Sequence, residues 1–191
     1  MLLLLHTQQS DENGTDLREV IKHCGKYGEY NFTKLPNKQD AWPTEVLNLY
    51  YNACDVVLNV ASNEGFGLGS CEALRAGTPI IVNVTGGLQD QCGFRKDGKL
   101  LTEEDYVEIG SLHNWRKWKG KLEHGEWVKP VWPTNLSLQG SPVTPYIYDD
   151  RCDSYEIAEQ LDSFFQMGRE EVSRVGLLGH EFVVGEGDMA S

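Results

Sequence analysis

The chain has 191 residues, 40% of them hydrophobic and 24% charged, which is enough to bury a core as one domain with an appendage. A net charge of −12 and a pI near 4.8 exclude duplex nucleic acid or an anionic membrane as the main partner, since both need a basic footprint. A single bound nucleotide stays open, because it needs only local donors. Five scattered cysteines (Cys24, Cys54, Cys71, Cys92, Cys152) form no CxxC pair. A reducing cytoplasm is therefore expected, without a disulfide or zinc framework. The opening Met1-Leu2-Leu3-Leu4-Leu5-His6 is too short for a signal peptide or a membrane span, and no later segment is long enough. The sequons at Asn13, Asn31, Asn83 and Asn135 accordingly read as chance.

In chain order, Leu2–Leu5 reads as a short buried parallel strand and residues 8–14 as a polar loop. Thr15 or Asp16 can cap a helix running through Leu17, Val20 and Ile21 to Gly25. Residues 30–35 suit a second strand. Pro43 then opens a helix on which Val46, Leu47, Leu49, Tyr50 and Ala53 recur at helical spacing. A strand over 56–60, a helix over 68–76 and a strand over 80–84 complete a βαβ alternation. That pattern predicts a Rossmann-like α/β fold with a parallel sheet and flanking helices. After about Gly93 the character changes: four of the five tryptophans (Trp115, Trp118, Trp127, Trp132) lie amid Gly, Pro and charged residues. The expected organisation is an α/β core over 1–92, an irregular or β-rich insertion over 93–150, and C-terminal helices over 151–191 that pack on the core. Those helices should run over 154–167 and 169–184.

The most telling stretch is Glu64-Gly65-Phe66-Gly67-Leu68-Gly69-Ser70-Cys71-Glu72, between the strand and the helix. A strand, a glycine-bearing turn and a helix start point backbone N–H groups and a partial positive charge at an anion. Carboxylates repel phosphate, so Glu64 and Glu72 suit sugar hydroxyls. Gly65 and Gly67 keep side chains clear, and Phe66 can wall a pocket. The local pattern leaves a plainer alternative open: a tight turn with two solvated glutamates.

Residues 47–91 resemble the donor-binding half of nucleotide-sugar glycosyltransferases of the GT-B fold, the glycosyl transferases group 1. The likeness rests on the helix ending at Ala53-Cys54-Asp55, the two-glutamate motif, the stop at Ala76-Gly77-Thr78-Pro79, and the Gly86-Gly87 loop. It implies that Glu64 contacts donor-sugar hydroxyls as the catalytic-site acid, and that Glu72 holds the ribose hydroxyls. Gly65, Phe66, Gly67, Leu68, Gly86 and Gly87 would bind sugar or diphosphate, and the loop from Thr33 to Pro36 would lie near the base. It further implies transfer with retention from a nucleotide-diphosphate sugar to a glycan or other acceptor, with no cofactor and no required metal.

The family's donor half begins with a strand and loop that carry an Arg and a Lys for the diphosphate. Met1 aligns downstream of both, and Lys22, Lys26 and Lys34 do not replace them. The chain is therefore expected to be a fragment, lacking its first, central strand and the N-terminal acceptor-binding half. The strands over 2–5 and 56–60 would then flank a gap of unpaired backbone groups. A non-catalytic nucleotide- or sugar-binding module is the main alternative. A nucleotide-sugar epimerase fits the motif spacing less well.

Elsewhere, Asp90 reads as a turn carboxylate that could also face the donor. Asn114-Trp115-Arg116-Lys117-Trp118-Lys119 reads as a structural cluster, His6 as a structural histidine, and Phe164, Phe165 and Met167 as core packing.

Overall fold

A computed structural model describes residues 1–10, 15–25, 28–33, 42–110 and 115–185. Lys26, Lys34, Leu35, Pro36, His113, Asn114 and the second half of the polar loop, residues 11–14, lie outside them. The fold is mixed α/β with parallel sheets and flanking helices. The chain divides into two compact units, residues 1–47 and 48–191.

In the first unit, strand β1 (Leu2–Leu5) pairs in parallel with β2 (Glu29–Phe32), and helix α1 (Leu17–Cys24) joins them. Asp16 caps α1: its carboxylate accepts the N–H groups of Arg18 and Glu19. Four consecutive leucines predict a buried strand, yet Leu2 and Leu3 are 55% and 45% exposed. A parallel strand is covered on both faces only when helices pack there, and α1 contributes no buried residue. Helix α2 (Thr44–Ala53) starts after Pro43 and leads into the second unit.

The second unit is built on a three-stranded parallel sheet. Strand β3 (Val57–Asn59) is followed by α3 (Leu68–Arg75) and the fully buried β4 (Ile80–Asn83). Two short helical turns follow, Gly86–Leu88 and Asp90–Cys92. Next come a small hairpin, β5 (Arg95–Lys96) with β6 (Lys99–Leu100), and helices α4 (Glu103–Gly110) and α5 (Trp115–Trp118). Strand β7 (Val128–Val131) then returns to the sheet and pairs in parallel with β4, Ile80 opposite Val128. The stretch 93–150 thus contains strands and two helices, and it also supplies this strand of the main sheet. Pro130 is tolerated there because β7 is an edge strand, where one row of backbone groups needs no ladder partner. The hairpin of β8 (Asn135–Ser141) and β9 (Thr144–Arg151) precedes α6 (Ser154–Met167) and α7 (Arg169–Val184), the two helices predicted at the C-terminus.

Strand alternation assigns β4 to two apolar layers. Ile80 and Val82 join Leu74, Trp127 and Val183 on one side, while Ile81 joins Val131, Phe164 and Val175 on the other. Phe164 and Met167 pack in the second layer as expected, but Phe165 is 77% exposed. One turn of helix cannot turn adjacent residues to the same face. Trp115 and Trp118 pack against the first layer, and Arg116 and Lys96 lie over their rings, as a structural cluster requires. β1 pairs only with β2, and β3 only with β4, so each has one edge without a strand partner among the described residues.

Candidate functional site

The turn between β3 and α3 is shaped by one glycine and one buried amide. Gly67 adopts φ 84° and ψ 56°, the left-handed region, and stands as the N-cap of α3 with no side chain bonding to the helix's first N–H groups. A Cβ there would run into Leu88, so strain and crowding both demand glycine. Gln91 is fully buried beneath the turn. Its amide donates to the carbonyls of Phe66 at 2.6 Å and Gly67 at 3.0 Å. Ser70 Oγ also donates to Gly67 O, and Asn59 Nδ2 donates to Ser70 Oγ at 3.1 Å. The carbonyl side of the turn is therefore held inward, which leaves the donor end of α3 uncapped by any side chain. An uncapped helix start is the end that attracts anions.

The predicted site residues gather in two groups. Glu64 is half-buried and accepts the Gly65 N–H at 3.0 Å. Gly87 N–H donates to the carbonyls of Glu64 at 3.2 Å and Gly65 at 3.1 Å, bringing the Gly86-Gly87 loop against the turn. A Cβ at Gly86 would overlap the Glu64 carbonyl, and one at Gly87 would overlap that of Gly65. These two glycines thus serve a close backbone approach. Phe66 and Leu68 are exposed on the turn. Glu72, in the second group, is exposed on α3 and accepts a hydrogen bond from Tyr51 Oη at 2.9 Å. No hydrogen bond joins Glu64 to Glu72 among the described residues.

A second brace comes from far along the chain. Asn83 Nδ2 donates to Ala61 O and to Asp150 O, both at 2.9 Å, while Asp150 N–H donates to Ser62 O. Thr85 Oγ1 donates to the Asp150 carboxylate at 2.8 Å. Burial raises that carboxyl above its usual range, and the Thr85 bond partly offsets the rise. Asp90 opens the second helical turn, where burial likewise raises its carboxyl.

Gln91, Asn59, Asn83 and Asp150 were not singled out from the sequence as site residues. Gln91 and Asn83 were concealed by apolar or glycine-rich surroundings, and Asp150 by distance.

Two concavities lie elsewhere. One of about 440 Å³ in the first unit is lined by Thr7, Gln8, Gln9, Asp16, Arg18 and Thr33, so the described end of the predicted base loop opens onto it. In that unit His6 Nδ1 shares a 2.9 Å hydrogen bond with Thr33 Oγ1, a structural arrangement. The other, of about 250 Å³, lies where α2 ends, beside Thr78, Arg169 and Leu177.

Residues 13–111 match the family model described as glycosyl transferases group 1. The chain belongs to that family. Among curated relatives of this chain, a D-inositol 3-phosphate glycosyltransferase from Corynebacterium urealyticum is 41% identical over 63 residues, 33% of this chain and 15% of the relative. One of the same name from Thermomonospora curvata is 27% identical over 84 residues, 44% of this chain and 20% of the relative. The chain thus spans about 15–20% of the length of these relatives. No helix among the described residues of this group 1 chain is long and apolar enough to cross a membrane.

Proposed function

We propose that this chain carries the donor site of a sugar-transferring enzyme that uses a nucleotide-diphosphate sugar. The observation that supports it most is the glycine turn at the start of α3: its carbonyls are drawn inward by Gln91, its helix start is uncapped, and an acidic side chain stands on either side. On this reading the diphosphate lies over the N–H groups of Gly67 and Leu68. Glu72 accepts the ribose hydroxyls, and Glu64 accepts hydroxyls of the transferred sugar beside Gly65 and Phe66. Gly86 and Gly87 act from below, by holding the Glu64–Gly65 backbone. Electrostatic stabilisation of the departing diphosphate is then the main contribution to rate.

The transfer is of a hexosyl group with retention and needs no metal. The acceptor is a glycan or similar hydroxyl compound, recognised with the help of an N-terminal half, and the enzyme works in the cytoplasm. Residues 1–92 form the α/β core that carries the donor site, 93–150 an insertion that returns one strand, β7, to the main sheet, and 151–191 covering helices.

Calorimetric titration with uridine, guanosine and adenosine diphosphates tests the core of this reading. Glu72→Ala should weaken the binding of the preferred diphosphate by roughly 10- to 100-fold, the value of hydrogen bonds to a charged group. Glu64→Ala should leave that affinity near wild type and lower transfer or donor hydrolysis by about 10²-fold through lost sugar positioning. Unchanged affinity and unchanged rate in both variants refute the assignment. Tight binding with no turnover in the intact protein, its N-terminal half included, would instead favour a binding module.

A further inference from the structure

Tyr51 lies in the last turn of α2, and its ring packs against the layer that contains Ala73 and Leu74. Its hydroxyl donates to Glu72 Oε2 at 2.9 Å. Two features hold the ring in that pose. Thr78 Oγ1 donates to the Tyr51 carbonyl at 2.8 Å, tying the end of α2 to the turn that follows α3. The second is the packing of the ring itself against the layer of Ala73 and Leu74. Burial, then the hydrogen bond and charge of Glu72, push the phenol far above its usual range. It therefore stays protonated and donating across physiological pH.

Glu72 itself is exposed. An exposed glutamate samples many rotamers, and ordering it on ligand binding costs entropy. A fixed phenol that grips Oε2 removes much of that freedom and leaves Oε1 free to accept.

We propose that Tyr51 is a positioning residue: it pre-orients the Glu72 carboxylate toward the ribose hydroxyls, so that the site distinguishes a ribonucleotide from a deoxyribonucleotide. This rests on the assignment of Glu72 made above. A preorganised acceptor discriminates because it takes the 2′-hydroxyl without the entropy cost of being ordered, a gain the deoxy form cannot use.

The test compares affinities of uridine, guanosine and adenosine diphosphates with those of their 2′-deoxy forms, in wild type, Tyr51→Phe and Glu72→Gln. Tyr51→Phe keeps the ring and its packing and removes only the hydroxyl. The preference of the wild type for the ribonucleotide should fall by roughly 3- to 10-fold in Tyr51→Phe, the value of one hydrogen bond. Affinity for the 2′-deoxy form and the thermal midpoint should stay close to wild type. A merely structural tyrosine would lower stability, or both affinities together, and would leave their ratio alone. If Glu72→Gln abolishes the preference while Tyr51→Phe retains it in full, the positioning role is overturned and the reading of Glu72 survives. If Glu72→Gln leaves the preference intact, or none of the diphosphates binds, both fall.

Discussion

Gly65 and Gly67 stand two positions apart in the turn and are glycine for different reasons. Gly67 is left-handed and pressed against Leu88, so Gly67→Ala should cost more than about 1 kcal/mol of stability. Gly65 does not adopt a positive φ, and a Cβ there would meet nothing within 4 Å. Packing gives no reason for glycine at 65. If the donor passes over it, Gly65→Ala should leave the thermal midpoint within a degree or two of wild type and weaken diphosphate or donor-sugar binding. Thermal melts beside calorimetry would separate the two effects, and unchanged binding in Gly65→Ala would remove that residue from the site. The acidic residues and glycines of this turn were legible in the sequence because their chemistry is local. Gln91 was not, since a polar residue in a Gly-Gly loop looks like a turn residue until its burial beneath two carbonyls is seen. Tyr51 was hidden among apolar residues at helical spacing, where an aromatic ring reads simply as core.

At the scale of elements, α7 lies against the turn after α3 through two glycines. A Cβ at Gly176 would overlap the Gly77 carbonyl, and one at Gly179 would stand 2.7 Å from Leu74 Cδ2 and 2.8 Å from Trp127 Cβ. Alanine in place of an exposed helical glycine stabilises by about 1 kcal/mol. Here the sign should reverse: Gly176→Ala is expected to destabilise by roughly 1–3 kcal/mol, because the helix must back away from the Gly77–Pro79 turn. Denaturant melts would measure it, and a gain in stability would show that the close packing is not as described. The alternation of strands and helices up to β4 and the two terminal helices could be read from periodicity, as could the cap at Asp16. Strand β7 was less visible: Val128-Lys129-Pro130-Val131 mixes a charge and a proline into four residues. Only its pairing with β4 supplies the context that makes an edge strand of it. The leucines of β1 misled in the opposite direction, since apolarity alone does not specify a covering layer.

For the molecule as a whole, burial is uneven. Among the described residues of 1–47 none is buried, whereas β4 in the second unit is buried along its whole length. Hydrogen exchange should follow that contrast: amides of β4 should exchange slowest, and those of β1 and β2 faster by orders of magnitude, because local opening there exposes little apolar surface. Equal protection of β1 and β4 would contradict it. The acidic balance, −12 overall, keeps the whole chain from acting as a general polyanion binder, so any diphosphate must be held by oriented N–H groups at one place. Asn83 has a temporal implication as well. Its two amide hydrogens are claimed by Ala61 and by Asp150, the latter 67 positions further on. As the polypeptide leaves the ribosome, that side chain can satisfy only one of its carbonyls until the second hairpin has emerged. The segment leading into the glycine turn is thus fully braced only late in biosynthesis, and a nascent chain stalled before residue 150 has the Gln91 and Gly87 contacts of the turn without the Asp150 brace beside Ala61 and Ser62.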